Sequence, residues 1–189
     1  MSVATAVMRS LLSKVRRPEI QKLANAVVRL VGVTAGKPFP SGDGSLDQKG
    51  CVFLPYAQVV PKGRPVGFRN SDPVAHNVHA YDSTNASLFN LATPPGTPPL
   101  TRAFEAGGPV RLKCDLHGWM TAWIYVAETP YETVTEGDGS FRLDDVPPGH
   151  YRLAVWHELV SGREIAVDLE PRGLAKVALA VSVLGPDSP

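Results

Sequence analysis

Over the first 22 residues the apolar positions fall at helical spacing, with Met8, Leu11, Leu12 and Val15 on one face until Pro18 stops the pattern. Residues 1–24 read as an N-terminal extension, a tail or a damaged leader, in which a short basic amphipathic helix would have docking on a surface as its sharper use. From residue 25 the period changes to two. Val66 and Phe68, then Val74, His76, Val78 and Ala80, then Val110, Leu112 and Cys114, then Ala122, Ile124 and Val126 each alternate with other residues, as half-buried strands do. Turn chemistry separates these runs at Pro61-Lys62-Gly63 and Ser71-Asp72-Pro73. In the segment from Thr93 to Pro99, four prolines in seven residues exclude a central strand.

A second block begins near Thr129. It predicts strands over Ser140 to Leu143, Tyr151 to Trp156, Ile165 to Leu169 and Lys176 to Leu184, with turns at Gly137-Asp138-Gly139 and Pro147-Pro148-Gly149. No helix of useful length is expected after residue 25. The expected fold class is all-β, with two small antiparallel β domains over residues 25–128 and 129–189.

Composition agrees with many short strands joined by turns. The 189 residues are 43% hydrophobic and 20% charged, which are globular values. Pro and Gly, 18 and 17 residues, are enriched without reaching the low-complexity range. A formal net charge of +1 argues against a nucleic-acid binder, whose affinity comes from clustered Lys and Arg. The positive charge gathers at the start: Arg9, Lys14, Arg16, Arg17 and Lys22 stand against Glu19 alone. Arg9 interrupts the first apolar stretch early, so no clear secretory signal is legible. No apolar run is long enough for a transmembrane helix.

The chemistry concentrates in Lys113-Cys114-Asp115-Leu116-His117-Gly118-Trp119-Met120. Cys114, His117 and Met120 can all donate lone pairs to a metal. A strand end followed by a tight loop can place all three around one point. His76, on an alternating strand with Val78 and Ala80, offers a fourth donor. A thiolate, two imidazoles and a thioether make a soft set that suits copper, and the His₂Cys set with a weak axial Met is an electron-transfer arrangement. A rival set is Cys51, His76, Cys114 and His117 around a structural zinc. Met120 favours copper, because zinc has little use for a thioether. Copper storage or delivery without electron transfer would use the same ligands.

The spacing Cys114-x₂-His117-x₂-Met120, with the upstream segment His76-Asn77-Val78-His79, resembles the cupredoxins, most closely their amicyanin-like and plastocyanin-like members. The resemblance covers about residues 50–128. It implies a Greek-key β-sandwich, one mononuclear type 1 copper site with His76, Cys114 and His117 as strong ligands and Met120 as the axial one, and electron carriage to a redox partner protein rather than enzyme catalysis. It also implies a hydrogen bond from the Asn77 backbone N–H to the Cys114 sulfur, and a periplasmic or secreted location. Separately, Val134-Thr135-Glu136-Gly137-Asp138-Gly139-Ser140-Phe141-Arg142-Leu143 with Val146-Pro147-Pro148-Gly149-His150-Tyr151 is similar to the carboxypeptidase regulatory-like, transthyretin-like β-sandwich. That module generally serves binding or packing.

Other reactive residues read as structural. Cys51 is expected to be a buried inert thiol, since a disulfide with Cys114 would destroy the copper site. His79 faces away from His76 on an extended strand and is expected at the surface. His157-Glu158 lacks the second His of a zinc-protease helix. Glu136 and Asp138 lack the remaining ligands of a calcium loop and are expected to form a hairpin turn. Asn85-Ala86-Ser87 is a glycosylation sequon, relevant only in a eukaryotic secretory pathway. The chain carries neither a Walker loop nor a G-x-S-x-G elbow.

Overall fold

The computed structural model describes residues 2–11 and 20–182. In chain order the strands are β1 (Ser2–Leu11), β2 (Ile20–Lys22), β3 (Val27–Val31), β4 (Gly44–Gln48), β5 (Phe53–Leu54), β6 (Ala57–Pro61), β7 (Pro65–Asn70), β8 (His76–Tyr81) and β9 (Ser87–Thr93). There follow β10 (Leu100–Ala103), β11 (Gly108–Lys113), β12 (Thr121–Ala127), β13 (Glu132–Val134), β14 (Ser140–Val146), β15 (Gly149–His157), β16 (Val160–Leu169) and β17 (Leu174–Ser182). The fold is all-β. The strands divide into two compact units, one built from residues 39–128 and the other from the described residues up to 38 and from 129 onward.

The unit of residues 39–128 has two sheets, ordered β10-β7-β4-β5 and β6-β12-β11-β8-β9. Alternation along each strand turns one apolar row inward. Leu46, Val66 and Phe68 from the first sheet meet Val78, Ala80, Val110, Leu112, Ala122 and Ile124 from the second in a single buried cluster. Transferring such side chains out of water stabilises the unit by about 1.5–3 kcal/mol for each large one. The pairing is not purely antiparallel as expected: β4 runs parallel to β7, and β6 parallel to β12. The proline-rich segment links β9 to β10, with a turn closed by Thr97 N–H donating to the Pro94 carbonyl.

The other unit also has two sheets, β14-β1-β17 with β2 on β1, and β13-β3-β15-β16. Its core joins Val28, Leu30, Tyr131, Phe141, Leu153 and Leu179. The bare Cα of Gly36 is needed there, because any Cβ would collide with the Tyr131 hydroxyl. Residues 136–140 form a tight turn, with Gly139 at φ +76°, Gly139 N–H donating to the Glu136 carbonyl and Ser140 N–H to Asp138 Oδ1. It is not the expected hairpin, because β13 pairs with β3 and β14 with β1 in the other sheet.

Two further expectations change. Residues 2–11 form a strand instead of a helix, flanked by β14 on one side and by β17, in parallel, on the other. Val3, Thr5 and Val7 are β-branched at alternate positions, and two neighbouring ladders satisfy the backbone on both edges. The rest of the expected helix, residues 12–19, lies outside the described residues. The boundary at residue 25 also moves. β3 pairs with β13 and β15, and Ala26 N–H donates to Thr135 Oγ1 while Thr135 N–H returns to the Ala26 carbonyl. These long-range bonds put residues 25–38 with the C-terminal block, because alternation alone cannot say which sheet a strand joins.

Candidate metal centre

His76 opens β8 and Cys114 follows directly on β11. Antiparallel register pairs Lys113 with His79 and Leu112 with Ala80, so the two residues reach the same end of the sheet although 38 positions separate them. Both are 1% exposed. The loop from Cys114 to Met120 is drawn tight by two backbone bonds, Met120 N–H to the His117 carbonyl (2.9 Å) and Cys114 N–H to the Met120 carbonyl (3.3 Å). That curl returns the His117 ring to the strand end. Nδ1 of His76 lies 2.9 Å from Nδ1 of His117, and Cys114 Sγ lies 3.9 Å and 3.7 Å from these nitrogens.

This triangle fits a metal ion. Metal–nitrogen bonds of about 2.0 Å and metal–sulfur bonds of about 2.3 Å set roughly 120° apart place N and S about 3.8 Å from one another, close to both observed values. The two nitrogens, 2.9 Å apart, are nearer than that geometry requires and stand at hydrogen-bonding distance from each other.

Asp72 determines which nitrogen of His76 faces inward. Its Oδ2 lies 3.0 Å from His76 Nε2. A carboxylate only accepts, so Nε2 carries the proton and Nδ1 keeps its lone pair for the centre. Asp72 also accepts from the Gly50 N–H (2.6 Å) and the Cys51 N–H (2.8 Å). The Cys51 and Gly50 amides, with a further contribution from His76, hold the Asp72 carboxyl below the usual carboxylate range. Behind it, Asn70 Nδ2 donates to the carbonyls of Thr93 and Val74, its Oδ1 accepts the Asp72 N–H, and buried Gln48 donates to Thr93 Oγ1.

On the other face of β8, Asn77 Oδ1 accepts the Asp115 N–H at 2.7 Å and lies 3.3 Å from Cys114 Sγ. The contact shown between Asn77 and the sulfur therefore runs through the side-chain amide oxygen, whereas the backbone N–H was expected. His79 is on that face too, with 18% of its side chain exposed, against Asp115 (3.0 Å) and Ser87 (2.9 Å). Met120 is 1% exposed within the core cluster that contains Cys114. Beside half-buried His117, Trp119 is 68% exposed and packs edge-on to the His117 ring, and Leu116, next to His117 in the loop, is also exposed.

Cys51 does not complete a tetrahedron with Cys114 and His117. Its sulfur converges with Asp72 on His76 instead. Asp72, Asn70 and Gln48 went unnoticed in the sequence, where Asp72 read only as turn chemistry. A carboxylate four residues before His76 was the one available signal.

No family model matches the chain, and no curated protein matches it. Solved structures do. A purple cupredoxin from Nitrosopumilus maritimus is 23% identical, with the match covering 45% of this chain and 100% of that one at a TM-score of 0.40. A mutant fern plastocyanin is 17% identical (44% and 100% covered, TM-score 0.40), and amicyanin from Paracoccus versutus 16% identical (53% and 97% covered, TM-score 0.38).

Proposed function

We propose that residues 39–128 hold one copper ion and carry single electrons between redox partner proteins. The observation that supports this reading is the convergence of His76 Nδ1, Cys114 Sγ and His117 Nδ1 at one end of a β-sandwich. Met120, on the same loop, is assigned the weak axial position. Copper in such a donor set supplies a one-electron couple at a site that tolerates both oxidation states.

The chain's own residues do the rest. The β8–β11 ladder and the two loop bonds hold the donors in place, so little rearranges between states. Asp72 fixes the tautomer of His76. The apolar surface around His117, with Trp119 and Leu116, suits brief docking rather than permanent assembly. The second unit is assigned a binding or packing role, like the carboxypeptidase regulatory-like module that it resembles in sequence.

Adding Cu(II) to the purified chain should produce an intense visible charge-transfer band. Cys114→Ser should abolish it. A band of full intensity in that variant would overturn the assignment of Cys114 as the thiolate ligand.

A further inference from the structure

His76 presents a second nitrogen to a second set of donors. One donor atom each from Cys51, Asp72 and His76 lie within 4.8 Å of one another, separately from the Cys114 and His117 group. We propose that Cys51, Asp72 and His76 Nε2 form a second metal site for a zinc-class divalent cation, sharing the His76 ring with the copper centre. The proposal rests on the copper reading only through His76, whose inner nitrogen it leaves to copper.

Three features of the chain support it. The ring nitrogens point in opposite directions: Nδ1 toward His117 and Cys114, Nε2 toward Asp72 Oδ2 at 3.0 Å. Metallating one leaves the other available. Next, the loop carrying Cys51 is folded around the carboxylate. Gly50 and Cys51 have successive left-handed φ values of +68° and +55°, unfavourable for the non-glycine residue. The loop is held there by two N–H bonds to Asp72 and by Lys49 N–H to the Val52 carbonyl. Trp119 Nε1–H, donating to the Cys51 carbonyl at 3.0 Å, fastens the same loop to the copper-side loop. Finally, the donor types match. Thiolate, imidazole and carboxylate are all zinc ligands, and three of them leave a position for water.

The charge also balances over the two metals together, since the Cys51 and Cys114 thiolates, the Asp72 carboxylate and the shared His76 imidazolate neutralise Cu(II) and one further divalent cation. Asp72 is 9% exposed at its side chain and Cys51 is half-buried, so the site is enclosed yet reachable from solvent. In the copper-loaded chain the cation replaces the Cys51 thiol proton and the Nε2 proton of His76, releasing two protons to solvent. Asp72 Oδ2 gives up its contact with Nε2 to the ion. Its Oδ1 keeps the Gly50 N–H, which orients the carboxylate.

The test uses the full chain loaded with one equivalent of copper and titrated with Zn(II). Native mass spectrometry should show one zinc beyond the copper, with the visible band retained. Zinc should slow iodoacetamide alkylation of Cys51 at least tenfold. Cys51→Ala should keep the copper band and lose the added zinc, and Asp72→Asn should lose the zinc as well. No zinc beyond the copper equivalent, undiminished alkylation, or full zinc uptake by Cys51→Ala would each overturn the second site. If Cu(II) gives no intense band while zinc still protects Cys51, the copper reading fails and the second site stands.

Discussion

Asn70→Ala tests whether the polar cluster behind His76 holds the centre together. The substitution removes three bonds from a side chain at the end of β7: Nδ2 to the Thr93 carbonyl (2.7 Å), Nδ2 to the Val74 carbonyl (2.8 Å) and Oδ1 from the Asp72 N–H (2.9 Å). Thr93 is 1% exposed, so no solvent is at hand to replace the bond to its carbonyl, which carries a penalty of about 1–3 kcal/mol. Val74 and Asp72 lie nearer solvent, and losing their bonds costs about 0.5–1.5 kcal/mol each. The sum centres near 4 kcal/mol. Discounted for relaxation to about 3 kcal/mol, it corresponds to a roughly 100-fold larger opening equilibrium at about 1.4 kcal/mol per decade. Native-state hydrogen exchange by mass spectrometry reads this directly. Peptides spanning residues 70–76 and 88–93 should exchange about 100-fold faster than in the parent chain, with peptides from residues 140–157 as the internal reference. Less than a threefold change would refute the reasoning, and would mean that the strand ladders alone hold the Asp72 and His76 segment.

Asp72→Asn should weaken Cu(II) binding by about 10–100-fold in a chelator competition and raise the reduction potential, because the neutral amide supports the oxidised ion less well; unchanged affinity would remove Asp72 from its positioning role. Met120→Leu should still bind copper and show a higher reduction potential by voltammetry, since losing a donor disfavours Cu(II) more than Cu(I), and loss of all copper would contradict an axial role. Pro95→Glu should slow electron exchange with a redox partner in stopped-flow mixing while leaving the visible spectrum unchanged; an unchanged rate with every partner tested would place docking elsewhere. In the C-terminal block, burial pushes the His157 imidazole below its ordinary pKa against the opposing pull of Glu158, and Nδ1 accepts the Leu159 N–H, which requires a neutral ring. The unfolded chain therefore binds the proton more readily, so this contribution to stability is complete above about pH 6.5 and is lost as the pH falls toward the folded value. His157→Gln should flatten that part of the melting-temperature profile. The exposed His150–Asp168 pair has the opposite sign, since the Asp168 carboxylate raises the His150 pKa, but it lies in solvent and contributes little.

The local patterns carried a good deal. Period-two alternation and turn residues determined an all-β chain, because strand periodicity and φ preferences are properties of neighbouring residues. The run Cys114-x₂-His117-x₂-Met120 marked a candidate metal loop for the same reason, since a strand end and a glycine act over a few positions. Long-range placement was not legible. Val27–Val31 alternates like any strand, and only its bonds to Thr135 and β15 assign it to the C-terminal unit. Ser2–Leu11 has helical spacing in part, but two flanking strands outweigh a weak local preference. Asp72 and Asn70 look like ordinary turn and strand-end residues in the sequence. Their role arises when β7, β8 and β9 bring Thr93, His76 and the Cys51 loop to one corner, because hydrogen-bond partners separated by tens of residues are chosen by tertiary packing. The same packing brings Cys51 to Asp72 and His76, and sets Cys114 and His117 against the inner nitrogen of that ring.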